Sequence, residues 1–300
     1  MVRKGSSLHL RVPERMVVEG DISRPETLTR YAAGCDAIVN CAGVTDMSLP
    51  GRQYYHEINT LLCSSIIDAM NTHGIKRLVH ASTVNTIGNG TEKRASDESA
   101  PIRSPFRESY YADSKLQGER ILRQEASRHA DWHLVVVNPG YMIGPMDVKP
   151  SSGRMLLMAY RHWLAVAPKG GKAFVDVRDV AAAMVNALER GTNGERYIAV
   201  NSTAQLTIKQ LYQLQAQTMG YRQWVLELPD WLLRTAGMAG DMLRKLGVRT
   251  ELSTNNVQQL MVHEHYDNRR AIAELGMPET DIAVAIRDFH QWRETQQSKQ

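Results

Sequence analysis

The chain of 300 residues carries 36 Lys and Arg against 32 Asp and Glu, a formal net charge of +4, and is 43% hydrophobic and 23% charged. That balance suits an ordinary globular chain with a sizeable core and excludes disorder, collagen and coiled coil. The charge is too mild to argue for nucleic acid, and no run nears the roughly 18 apolar residues that span a bilayer.

In chain order, residues 15–19 (R-M-V-V-E) read as a short strand before Gly20-Asp21. Ser23 reads as the N-cap of a helix of about ten residues, with Pro25 in its first turn and Gly34 as its stop. Residues 36–41 (D-A-I-V-N-C) form a second strand ending in Ala42-Gly43. Ile58, Leu61, Leu62, Ile66, Ala69 and Met70 recur at helical spacing up to Gly74. Residues 77–81 (R-L-V-H-A) are a third strand, 108–129 a helix and 133–137 (H-L-V-V-V) a fourth strand. Residues 153–166 read as a helix, 172–175 as a strand, 178–189 as a helix and 195–200 as a last strand. Beyond Thr207 the pattern is helical at 208–219, 231–246, 255–263 and 282–292. Strands that alternate with helices and are mostly apolar on both faces predict an α/β chain with a parallel sheet covered on both sides. A small, mostly helical lobe closes the chain.

The three cysteines, Cys35, Cys41 and Cys63, have no metal-ligand spacing, and their odd number argues against a disulfide framework. No metal is expected. The basic start M-V-R-K-G-S-S-L-H-L lacks the apolar core of a signal peptide, so the reducing cytosol is the expected compartment.

The segment S-Y-Y-A-D-S-K places Tyr111 and Lys115 four apart, on one face of a predicted helix. A phenol with pKa about 10 is a poor acid or base near neutrality. A nearby ammonium favours the phenolate, by about one to three pKa units, and so makes the phenol usable on an alcohol/carbonyl pair. Ser82 and Thr83 follow the third strand, at the carboxyl edge where open α/β sheets bind ligands. A hydroxyl there can orient a substrate oxygen toward Tyr111. N-P-G-Y-M-I-G-P follows the fourth strand at the same edge, and Asp179 stands where a helix should begin. Tyr110, five before Lys115, is read as packing, and His80 and His133, inside strands, as structural.

Together H-A-S-T-V-N, S-Y-Y-A-D-S-K, N-P-G-Y-M-I-G-P and F-V-D-V-R-D-V-A, with V-E-G-D-I, A-I-V-N-C-A-G, E-I-N-T and K-P-S-S-G-R-M, resemble the extended short-chain dehydrogenase/reductase family. The likeness is to the dihydroflavonol-reductase-like branch of the NAD-dependent epimerase/dehydratase superfamily, from about Arg3 to Trp292. It implies a Rossmann-like sheet over residues 1–150, with 172–200 returning to it, and a substrate-binding lobe over 151–171 and 201–300. By this resemblance Thr83, Tyr111 and Lys115 hold the catalytic positions, and Ser82 is the neighbouring hydroxyl. Asp21 and Ile22 would meet adenine, and Cys41, Ala42 and Gly43 the adenine-ribose side. Lys115 would bind the nicotinamide ribose, and Pro139, Gly140 and Met142 would frame the nicotinamide. Arg3 stands where a 2′-phosphate is often held, and no acidic residue precedes Glu14, which favours NADP over NAD.

The resemblance also implies a first strand, a G-x-x-G-x-x-G phosphate turn and a first helix, and this sequence has none. M-V-R-K-G-S-S resembles the end of the family's second strand, so the expected true start lies upstream of Met1, and the 300 residues alone are expected to bind dinucleotide poorly. Three readings share this scaffold: a reductase or dehydrogenase of a small organic substrate, a nucleotide-sugar epimerase, and a non-catalytic dinucleotide sensor. A dehydratase is disfavoured, because Val84-Asn85 rather than a carboxylate pair follows Thr83. The expected partners are a small-molecule substrate and a second copy joined through the two long helices, without nucleic acid or membrane.

Overall fold

The computed structural model describes residues 1–2 and 12–297. Arg3, with its neighbours Lys4 and Ser6, lies outside the described residues. The elements begin with α1 (Pro25–Ala32) and β1 (Ala37–Asn40). Then comes one helical run of α2 (Gln53–His56), a π-helical turn (Glu57–Leu61) and α3 (Leu62–His73). After it stand β2 (Arg77–Ala81), α4 (Tyr110–Ala126), β3 (His133–Pro139) and β4 (Tyr141–Ile143). α5 (Ser152–Ala159), β5 (Leu164–Ala167), β6 (Gly171–Asp176), α6 (Val177–Asn186) and β7 (Arg196–Ala199) follow. The chain continues with β8 (Gln205–Thr207), α7 (Ile208–Met219) and β9 (Trp224–Glu227). It closes with α8 (Asp230–Lys245), α9 (Thr254–Leu260), α10 (Arg269–Leu275) and α11 (Ile282–Gln297).

The main sheet has the order β1-β2-β3-β7 and is parallel throughout, with Val79 beside Val39 and Val135. Period-two alternation decides which face each residue covers. Leu78, Leu134 and Val136 join Leu28, Ile66, Met70 and Leu122 under α1, α3 and α4. Val79, Val135 and Val137 pack on the other face with Val180, Ala183, Ala271 and Leu275 of α6 and α10. Both faces are therefore dry, as the unbroken run H-L-V-V-V requires. β6 pairs with β4 in parallel and with β8 antiparallel, and carries Phe174 into a lobe core with Leu156, Leu211, Ile286 and Phe289.

Several local expectations are corrected. Residues 15–19 are not a strand: a 3-10 turn covers Glu14–Met16 and Glu19 makes one isolated bridge with Val2. The N-cap of α1 is Arg24, because the Ser23 hydroxyl donates to Asp21 Oδ1 at 2.8 Å. The expected helix over 153–166 stops at Ala159, where Arg161 takes a left-handed φ of 60°, and the remainder is β5. β5 buries Ala165 and Ala167 and turns Leu164 and Val166 outward, so its small residues face the core and its large ones do not. Asp176, not Asp179, caps α6; buried Asp179 instead accepts from the Thr280 amide and hydroxyl, both at 2.7 Å.

In the lobe, His290 stacks on Tyr160 with ring centroids 3.8 Å apart. Burial lowers its pKa from 6.5 to about 4, with Arg293 and Arg161 adding to the effect and Glu294 opposing it. The folded chain thus holds a neutral imidazole that the unfolded chain protonates below its ordinary value. Its contribution is present above pH 6.5 and is lost as pH falls toward 4. We expect the loss to reach roughly 2 kcal/mol. Denaturant melts of H290F should show a flatter profile across that window than the parent chain; equal profiles would refute the assignment.

Candidate active site

Three neighbouring features build the site: the carboxyl ends of β1 and β2 and the first turns of α4. β2 ends at Ala81, and Thr83 then caps a 3-10 turn, its Oγ1 accepting from the Asn85 amide at 3.2 Å. Ser109 caps α4 and sets Tyr111, Lys115 and Glu119 on successive turns of one helix face. The Thr83 hydroxyl lies near the Tyr111 phenol and acts to lower its pKa. Lys115 Nζ donates to Ala81 O at 2.9 Å and to Ala42 O at 3.5 Å.

The electrostatics differ from the sequence expectation. Burial pushes the Tyr111 phenol up to about 12, with Tyr141 adding to the rise and the Thr83 hydroxyl opposing it. Lys115 is held below its ordinary value, chiefly by burial, while Cys63, Glu119 and Cys41 counter that effect. The ammonium is directed at two carbonyls, so desolvation of the phenol outweighs any cation stabilising a phenolate. Tyr111 is therefore a protonated group near neutrality, suited to giving a proton.

Ser82 takes no part in this hydroxyl pair. Its Oγ donates to Glu119 Oε1, which also receives Thr86 Oγ1 at 2.7 Å and Asn138 Nδ2 at 2.8 Å. Asn138 Nδ2 in turn holds the Thr83 carbonyl at 3.0 Å, and Arg196 reaches Glu119 Oε2 at 3.3 Å. Glu119 and Asn138 were missed from the sequence. The signal for Glu119 was its place one further turn beyond Lys115.

The segment after β1 is fixed from the helix side. Asn59, in the π-helical turn, accepts from Val44 N at 2.8 Å, donates to Val44 O at 3.0 Å and also donates to Ser114 Oγ. Gly43 lies so near Lys115 that a Cβ there would come 3.0 Å from Nζ. Among the other expected cofactor residues, Cys41 is exposed and Ala42 and Ile22 are half-buried. Asp21 organises the turn before α1 through Ser23 and Arg24. Pro139 ends β3, Gly140 packs against Ala173 O, and Met142 is exposed on β4. His80 is wholly buried with Nδ1 3.0 Å from Asn40 Nδ2, whereas its Nε2 has no partner. His133 is satisfied by the Ala187 and Arg190 carbonyls.

A cleft of about 540 Å³ opens beside Tyr111. Tyr55 and Met47 line one wall, and Asp241, Arg244 and Asn255 of α8 and α9 line the other. Tyr110 also lines it and is half exposed, which corrects the reading of this residue as packing. Arg244 Nη2 and Asn256 Nδ2 bond Met47 O across the cleft at 2.8 and 3.1 Å, and Arg249 Nε reaches Ser48 Oγ at 2.9 Å. Arg154, in α5, is paired with Glu251.

The profile of the NAD dependent epimerase/dehydratase family matches residues 2–201. The chain belongs to that family. Its similarity to a dihydroflavonol 4-reductase-like protein of Synechocystis is 28% identity over 283 residues, covering 92% of this chain and 80% of the relative. Sterol demethylase protein B of Methylococcus capsulatus is 27% identical, over 91% of this chain and 83% of that one. The fold matches a UDP-glucose 4-epimerase of Thermus thermophilus, solved with NAD, at a TM-score of 0.71 and 20% identity over 96% of this chain and 88% of the other. Membership of the NAD dependent epimerase/dehydratase family accounts for the parallel sheet and the arrangement at its carboxyl edge. Among the described residues, no helix is long and apolar enough to cross a membrane.

Proposed function

We propose that the chain is an NAD(P)-dependent reductase or dehydrogenase acting on the hydroxyl/carbonyl pair of a small organic substrate. The observation that carries this reading is the convergence of the Thr83 and Tyr111 hydroxyls beside the cleft, with Lys115 one turn behind Tyr111. Tyr111 donates the proton to the substrate oxygen on reduction and accepts it on oxidation. Thr83 orients that oxygen. Lys115 is the cation of the pair and binds the nicotinamide ribose.

The residues present fit the ribose end of a dinucleotide. Gly43 leaves open the space in front of Lys115 Nζ that a side chain would fill, and Asn59 fixes the adjoining loop. The dinucleotide, when bound, supplies or accepts the hydride. The basic character of Arg3 in the sequence favours NADP, and Asp21, Ile22, Cys41, Ala42 and Gly43 are assigned to the adenine and ribose sides. The named likeness to reductase relatives supports reduction over epimerisation.

The test is NADPH-dependent reduction of a ketone panel by the protein expressed with its natural upstream sequence, and by its T83A variant. Losing the orienting hydroxyl should lower kcat about a hundredfold with dinucleotide binding retained. Undiminished turnover in T83A would end this assignment.

A further inference from the structure

The outer side of the cleft wall has a chemistry of its own. α8 packs through its glycines on the start of α9 and the residues just before it: a Cβ on Gly237 would lie 3.0 Å from Thr254 Cα, and one on Gly240 2.2 Å from Leu252 O. The helix therefore buries its smallest residues and turns Trp231, Met238, Met242 and Leu246, at helical spacing, to solvent. The adjoining two-stranded sheet repeats the inversion. Its register pairs Leu164 with Trp224 and Val166 with Leu226, and all four side chains are exposed beside exposed Trp163. The two parts meet at Leu228 and Pro229, between β9 and α8. Trp163, Trp224, Trp231, Met238, Met242 and Leu246 are between 58% and 76% exposed. Single exposed apolar residues need no explanation, but this accumulation on consecutive elements does.

The charges around it choose the partner. Arg222, Arg234 and Lys245 are exposed among these residues and pair with no carboxylate among the described residues. The nearby acids are engaged: Asp230 lies 3.9 Å from Lys169, Glu227 3.4 Å from Lys209, and Asp241 accepts from the Thr254 amide. A second copy seated on this face by two-fold symmetry would bring the same cations together. An anionic bilayer surface meets them with opposite charge and accepts tryptophan at its headgroup level. We propose that α8 and the β5–β9 sheet form a peripheral docking surface for anionic lipid membranes. This is surface attachment by an amphipathic helix, which the absence of a spanning run does not address.

The experiment is sedimentation of the full chain with vesicles of phosphatidylcholine plus phosphatidylglycerol, against phosphatidylcholine alone. The chain should pellet with the anionic vesicles and be released by salt, with its tryptophan emission shifted to the blue on binding. Replacing Arg222, Arg234 and Lys245 by Gln should weaken partitioning about fivefold per cation. W231S/M238S/M242S, at solvent-facing positions, should abolish it at unchanged thermal stability. The proposal is overturned if the parent chain stays in the supernatant, or if it binds both vesicle types equally. It is equally overturned if sedimentation velocity finds a dimer that the serine variant dissolves.

Discussion

Replacing Tyr111 by Phe is expected to lower kcat by about a thousandfold while leaving dinucleotide affinity nearly unchanged. The argument follows from the geometry. The phenol has the Thr83 hydroxyl near it and Lys115 a turn away, and burial holds it protonated up to about 12. Phenylalanine keeps the ring and its packing but has no proton to give. Carbonyl reduction, which uses the protonated phenol, should stay level through neutral pH; alcohol oxidation, which uses the phenolate, should accelerate as pH rises. Steady-state kinetics beside calorimetry separate this from a non-catalytic sensor. A sensor would show parent-like binding and no turnover to lose, and residual turnover within tenfold of the parent would remove Tyr111 from the chemistry.

The second large effect concerns stability. Glu119→Ala is expected to cost about 3–5 kcal/mol, read as a fall in melting temperature on the order of 5–15 °C. Ser82, Thr86 and Asn138 would lose one shared acceptor, and Arg196 would keep a mostly buried charge without this carboxylate. Glu119→Gln, which retains a carbonyl oxygen, should recover part of the loss. Because Asn138 also holds the Thr83 carbonyl, the alanine variant should lower kcat as well. Equal melting of Glu119→Ala and the parent would show that the network is not cooperative.

How much could be read in advance depended on whether the decisive contacts were local. β2 and α7 match the sequence reading residue for residue, because a short apolar strand and a helix bounded by Thr207 and Gly220 contain their own signals. The parallel sheet followed from strands apolar on both faces. β5 was misread because its large residues face outward, so hydrophobic periodicity gave the wrong sign. β9 and α10 were missed, the former for the same reason. At the site, spacing and strand ends drew attention to Tyr111, Lys115 and the Ser82–Thr83 pair, and the family resemblance chose Thr83. The direction in which Lys115 points was not, since it depends on the Ala81 and Ala42 carbonyls, distant in sequence. Ser82 had the right position along the chain, and only the fold reveals that Glu119 claims its hydroxyl.

The two attachments of the α9 region differ in strength. On one side Lys172, wholly buried, joins Glu264 and the Gln259 carbonyl; on the other, half-exposed Arg244 and Asn256 hold the Met47 carbonyl and Arg249 reaches Ser48 and Asp46. Breaking the first strands a charge in a dry interior, whereas water readily replaces the second. The α9 wall of the cleft is thus anchored in the dry interior at β6 and held on its Met47 side by contacts that water can replace.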